Sequence, residues 1–131
     1  MRKPAAGVFL WMGPSLLAAL AGCTTGKTDA GTDYSFRLTT LSAGLDYPVE
    51  EVHKAALAAM TEDFRLTVSE AGLDGFEGRV LAVGATGKTH RISVEKAGPK
   101  YTRIKIYVGP RGDDARSRQI LARIEERLKG G

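Results

Sequence analysis

Between Phe64 and Val108 the chain runs through four short apolar segments whose links are too brief for anything but antiparallel neighbours. Phe64 to Glu70 carries Phe64, Leu66 and Val68 on one side, and Arg79 to Gly84 is more continuously apolar, as an interior strand would be. His90 to Lys96 turns Ile92 and Val94 one way, and Tyr101 to Val108 does the same with Ile104, Ile106 and Val108. Such period-two alternation is the mark of a half-buried strand. The breaks are Leu73-Asp74-Gly75, Gly84 to Lys88 and Ala97-Gly98-Pro99, all rich in turn formers. A parallel crossover needs a dozen or more residues, so these strands form an antiparallel meander.

Two helices and one further strand complete the pattern. Phe36, Leu38 and Thr40 alternate with Arg37 and Thr39, which predicts a first strand within Tyr34 to Ala43. Pro48 suits the first position of a helix, with Glu50 and Glu51 in the first turn where the helix dipole favours anions. Val49, Val52, Ala56, Ala59 and Met60 then share one face. A second helix opens near Asp113-Asp114, carries Ile120, Leu121, Ile124 and Leu128 as its stripe, and ends before Gly130-Gly131. The expected order is β-α-β-β-β-β-α. An antiparallel sheet of four to five strands, with both helices on one face, encloses both stripes in a single core: a two-layer α+β domain.

The N-terminus reads differently. Arg2 and Lys3 precede a nearly apolar run from Val8 to Leu20, which ends in Leu20-Ala21-Gly22-Cys23. Basic, apolar and small residues in that order form a secretory signal peptide. A membrane-spanning helix needs about 20 continuous apolar residues, and Gly13-Pro14 interrupts this run. Cys23 is the sole cysteine, so it has no disulfide partner. Leu20-Ala21-Gly22-Cys23 resembles the lipobox of bacterial lipoproteins. That resemblance implies cleavage before Cys23 and acylation of Cys23, and it places the protein in the bacterial envelope. Thr24 stands where an aspartate would retain such proteins in the inner membrane, so the implied site is the outer membrane, facing the periplasm. The chain then divides into a signal peptide (1–22), a flexible tether (23–33) and one α+β domain (34–129). A tether of ten such residues spans roughly 18 Å.

Several stretches of the domain also match a family pattern: Gly78-Arg79-Val80-Leu81-Ala82, Ile92-Ser93-Val94, and Thr102-Arg103-Ile104-Lys105-Ile106-Tyr107-Val108-Gly109. Gly112-Asp113 and Ser117 to Leu121 follow. With the helix around Val52 to Met60, they resemble a family of small bacterial lipoproteins whose domain has no assigned function. The resemblance covers about residues 38 to 128 and implies fold and location. It brings no catalytic residue with it.

Charge is unevenly distributed. Residues 23–78 carry 4 Lys/Arg against 10 Asp/Glu, and residues 79–131 carry 13 against 5. On the strand Tyr101 to Val108, inward isoleucines leave Tyr101, Arg103, Lys105 and Tyr107 on the opposite face, with Arg91 on the neighbouring strand. Aromatics alternating with cations suit acidic glycans, lipid phosphates or acidic protein patches, although solvated sheet faces also favour such residues. Arg116, Arg123 and Arg127 form a separate stripe on the last helix.

Other chemistries find little support. Ala82 to Thr89 loosely fits a phosphate-binding loop, but Thr89 to Lys96 alternates as a strand and supplies no following helix. A glycine-rich hairpin accounts for it, so no nucleotide is expected. His53 reads as a helix-surface residue and His90 as a partly buried strand end, and neither has the companions a zinc site requires. No serine sits in a nucleophile elbow. The carboxylate pairs Glu50-Glu51, Asp113-Asp114 and Glu125-Glu126 each suit a helix terminus or a solvated helix face. No catalytic residue, metal or cofactor is expected, and no nucleic acid either, since the implied lipid anchor places the domain outside the cytoplasm. The expectation is a lipid-anchored envelope lipoprotein acting as a non-catalytic binding module. The alternatives are a structural or assembly subunit of an envelope complex, or a periplasmic enzyme.

Overall fold

The computed structural model describes residues 23–130, and the expected signal segment lies outside them. The elements run β1 (Cys23–Lys27), β2 (Asp33–Arg37), β3 (Thr40–Leu45), α1 (Val49–Ala58) with a π-helical turn (Ala59–Asp63), β4 (Thr67–Glu70), β5 (Glu77–Val83), β6 (Thr89–Gly98), β7 (Tyr101–Val108) and α2 (Asp114–Gly130). All seven strands form one antiparallel sheet in the order β1-β2-β3-β7-β6-β5-β4. The α+β class, the antiparallel meander and the two helices are as the sequence predicts. The strand count is higher than the expected four to five.

Register explains why one sheet face is apolar. Leu41 pairs with Ile106, Ile106 with Ile92, and Ile92 with Val80. All four are fully enclosed. The next layer pairs Ala43 with Ile104 and Ile104 with Val94. Both helices cover these layers. Val49, Val52 and Ala56 of α1, and Ile120, Leu121 and Ile124 of α2, join the strand residues in one core. Thr102 is buried among them without penalty, because its hydroxyl donates to the Tyr47 carbonyl at 2.8 Å.

Two expectations about the N-terminal third need correction. Tyr34 to Ala43 is not one strand but a tight hairpin, with Leu38-Thr39 between the paired residues Arg37 and Thr40. Leu38 takes a positive φ of 59° and is 83 % exposed. An apolar residue thus occupies a turn position usually left to Gly or Asn, and the alternation runs on through the bend. The stretch 23–33, expected as a tether, supplies β1 and the turn into β2. Backbone pairing with β2 holds it, and so does one long-range contact: the Thr28 hydroxyl donates to Glu125 Oε2 at 2.9 Å. Thr28 Oγ1 also accepts the Thr32 amide at 3.1 Å, fixing the turn.

Smaller shifts occur elsewhere. The strand expected from Phe64 begins at Thr67, because Phe64 closes the π-helical turn through its amide to the Ala59 carbonyl. Gly130 belongs to α2 instead of lying past its end. No helix among the described residues is long and apolar enough to cross a membrane.

Truncating the centre of the enclosed row should be costly. Ile106→Ala is expected to lose about 2–5 kcal/mol of stability in denaturant titration, whereas Lys105→Ala, one residue away on the exposed face, should change it by about 0.5 kcal/mol or less. Equal losses would mean the wrong residues face the core. Thr28→Val removes the only hydrogen-bond partner that the buried Glu125 carboxylate has among the described residues and should cost about 1–3 kcal/mol. Amide exchange in β1 and β2 should then quicken before exchange in β6 and β7.

Candidate functional site on the uncovered sheet face

The helices cover one side of the sheet only. On the other side, the residues alternating with the core layers line up across the strands. Ser42 pairs with Lys105, Lys105 with Ser93, and Ser93 with Arg79. The adjacent row is Gly44, Arg103, Glu95 and Glu77. The stretch between β4 and β5 rises beside these rows and encloses a cleft of about 530 Å³, whose lining includes Arg79, Ser93, Arg103 and Lys105.

The five residues singled out in the sequence all lie on this face but do different things. Arg103 and Lys105 line the cleft. Arg91 lies over the Tyr107 ring, 4.8 Å from its centroid, one row away. Tyr101 lies across Gly44, where any Cβ would run into its hydroxyl. That packing explains the glycine in a strand interior, since the ring fills the space a side chain would take. Arg79 was missed as a lining residue. Its strand reads as continuously apolar around it, which hid the face it occupies.

The cleft is less basic than the strand alone suggests. Its cations are Arg79, Arg103 and Lys105, and its carboxylates are Glu70, Asp74, Glu77 and Glu95. Arg103 bonds Glu95 at 3.0 Å and Arg79 approaches Glu70 at 3.8 Å. Such exposed pairs contribute about 0–1 kcal/mol each, but they neutralise charge locally. Asp74 is held below its ordinary pKa by the amides of Glu77 and Phe76, both donating at 3.0 Å. Among the described residues Lys105 makes no ion pair, and small hydroxyls flank it on both sides.

The Arg116, Arg123 and Arg127 stripe is already engaged. Arg116 stacks on Phe64 with its guanidinium 4.5 Å from the centroid, and Arg123 bonds Glu126 at 2.7 Å. Arg127 clamps Asp63 at 2.9 Å and Glu62 at 3.1 Å, tying α2 to the π-helical turn.

Three polar residues lie deeper than expected. His53 is 7 % exposed and not a surface residue, with Nε2 3.4 Å from the Arg79 carbonyl. Glu125 is 5 % exposed and not on a solvated helix face. His90 is 3 % exposed, with Nδ1 3.1 Å from the Lys88 carbonyl. No group of three His, Cys, Asp or Glu side chains converges as a metal site among the described residues.

A family model described as "Protein of unknown function (DUF3568)" matches residues 8–127. That description names no activity, ligand or location. No curated protein matches the chain.

Burial holds the His90 imidazole below its ordinary pKa of 6.5, more strongly than the Lys88 carbonyl raises it. The unfolded chain therefore takes up a proton as pH falls through 6.5 while the folded chain resists. Stability should be flat with respect to His90 above that pH and decline below it. Thermal midpoints of the native chain should drop between pH 7 and pH 5, and His90→Gln should flatten that slope. An unchanged slope would assign the decline to another group. Asp63 is lowered by its hydrogen bond to Arg127, so its contribution is lost only below its ordinary value of 3.8.

Proposed function

Because the chain belongs to this family of unknown function, we propose a function from its own residues: a lipid-anchored lipoprotein of the bacterial envelope that binds, without catalysis, an anionic envelope component on its uncovered sheet face. The observation that carries the binding reading is the face itself. Helices cover one side of the sheet, while the other presents a cleft whose lining includes Lys105 between two serines. A lysine without a carboxylate partner keeps its charge available for an acidic glycan, a lipid phosphate or an acidic protein patch.

Binding is favoured over chemistry by the state of the cleft carboxylates. Glu70 and Glu95 are tied to arginines, and backbone amides hold Asp74 in its ionised form. General acid catalysis wants a carboxyl poised near the working pH, and the amides at Asp74 push its carboxyl the other way. The anchoring reading rests on Leu20-Ala21-Gly22-Cys23 following an apolar run. Two acyl chains suffice for stable attachment at about 0.8 kcal/mol per buried methylene.

Cys23→Ser should leave uncleaved precursor or release the protein into the soluble fraction, as read by membrane fractionation and salt washing. A variant that matures and stays membrane-bound would remove the anchor. For the binding face, Arg103→Glu with Lys105→Glu should abolish capture of the partner from detergent-solubilised native membranes. Wild-type capture should weaken with salt, since charges beyond about 8 Å are screened at physiological ionic strength. A folded double variant with unchanged capture and salt dependence would exclude this face and favour a structural or assembly role.

A further inference from the structure

At the other end of the core, away from the sheet-face cleft, a second cavity of about 500 Å³ opens between the π-helical turn, the β5–β6 hairpin and the start of α2. Its lining includes Arg65, Lys88 and Arg116, against a single carboxylate, Asp113. The balance of charge is thus the reverse of that in the sheet-face cleft. Asp113 is also engaged, because its Oδ1 accepts the Arg116 amide at 2.9 Å and caps α2. Lys88 comes no closer to it than 3.8 Å. Arg65 makes no ion pair among the described residues.

Arg65 is held in this wall at a cost. Its φ of 54° lies in the left-handed region. It follows the π-helical turn at the place where the Leu66 amide bonds back to the Met60 carbonyl at 2.9 Å. That bond closes seven residues, one more than the six of the usual helix terminus, and the residue before its donor takes the left-handed conformation that glycine usually supplies there. An arginine there is strained in the backbone, and it lines the cavity. Arg116 is positioned separately, by its stack on Phe64.

His90 lines the cavity, is 3 % exposed, and has Nε2 buried without a hydrogen-bond partner. Its Nδ1 is engaged by the Lys88 carbonyl, so Nδ1 carries the proton and Nε2 is an acceptor. The imidazole edge at Cε1 faces Gly84, 3.8 Å from where a Cβ would stand. The hairpin's own bonds use the amides of Gly84 and Gly87. Three cations in the lining, against one carboxylate that already caps α2, match a phosphate oxyanion.

We infer that this cavity is a binding site for a phosphate group, with Arg65, Lys88 and Arg116 taking the charge. The site is separate from the sheet-face cleft and does not depend on the function proposed for it. Hydrogen phosphate and glycerol phosphate share this chemistry with the glycerol-phosphate headgroup of an anionic lipid.

The test uses the full mature chain in detergent micelles, titrated separately with inorganic phosphate, glycerol 3-phosphate and glycerophosphoglycerol. Amide shifts of Gly84 to Thr89 and thermal midpoints are the readouts. Saturable shifts confined to this hairpin and to the start of α2 are expected. Arg65→Gly should weaken binding at least tenfold while holding or raising the thermal midpoint, because glycine relieves the positive φ. That split separates a ligand-holding arginine from a structural one. Lys88→Gln should weaken binding without unfolding, and Lys105→Glu should leave it unchanged. Saturation by inorganic phosphate or glycerol 3-phosphate but not by the diester assigns a free phosphate ligand, and equal or tighter binding of the diester assigns a lipid headgroup. No saturable shift with any probe overturns the inference. So does binding that survives Arg65→Gly and Lys88→Gln, or shifts centred on Lys105.

Discussion

Leu41, Ile106, Ile92 and Val80 stand side by side across four strands, all fully enclosed. Since strand side chains alternate with a period of two, fixing this row inward fixes every neighbouring residue outward. The cleft on the opposite face is the same register seen from behind. Lys105 and Ser93 are exposed because Ile106 and Ile92 are not. A slip of one residue would bury a lysine among isoleucines, so the apolar layer specifies the polar face as firmly as it specifies the fold. The helices complete the layer, and Arg127 adds an ionic clamp from α2 to the end of α1's π-helical turn.

What was legible in the sequence follows from the strength of that alternation. The strand Tyr101–Val108 was readable residue for residue, because isoleucine, isoleucine and valine mark one side without interruption. The Leu38-Thr39 hairpin was not, because neither residue is a usual turn former and the apolar beat continues through the bend. β1 was invisible for the opposite reason. Thr-Thr-Gly-Lys carries no large apolar side chain, and the strand is held by its backbone ladder and one part-buried hydroxyl–carboxylate bond just past its end. The deep polar residues did leave a signal. Ser117, Leu121, Glu125 and Leu128 share one helical face with Ile120 and Ile124, and Val49, Val52, His53 and Ala56 share another. Spacing alone placed Glu125 and His53 inward, but residue type overrode it.

The candidate site was half legible for a related reason. Alternation located Tyr101, Arg103, Lys105, Tyr107 and Arg91 on one face, yet it said nothing of who stands beside them. The chain's acidic and basic halves suggested a basic surface, but strand pairing interleaves the halves. Glu77 of the acidic half stands in one row with Arg103, and Glu70 meets Arg79. A charge split along the sequence therefore becomes a near balance in the cleft. The imbalance survives where three separate elements converge, at Arg65, Lys88 and Arg116. No single segment of sequence carries that cluster.

Loss of the tether also changes what an anchor would do. With a flexible spacer of roughly 18 Å, an acylated Cys23 would leave the domain free to tumble above the bilayer. Instead β1 begins at Cys23, and its first pair is Cys23 with Arg37. Acylation at that residue would attach the lipid directly to the edge of the sheet, with no free residues between. The domain would then sit against the headgroups by that edge. β1 is the outermost strand, so the same contact would cover a row of unpaired backbone groups that otherwise invites another strand. The Thr28–Glu125 bond, one residue past the end of β1, would resist the edge peeling away from α2 under that load.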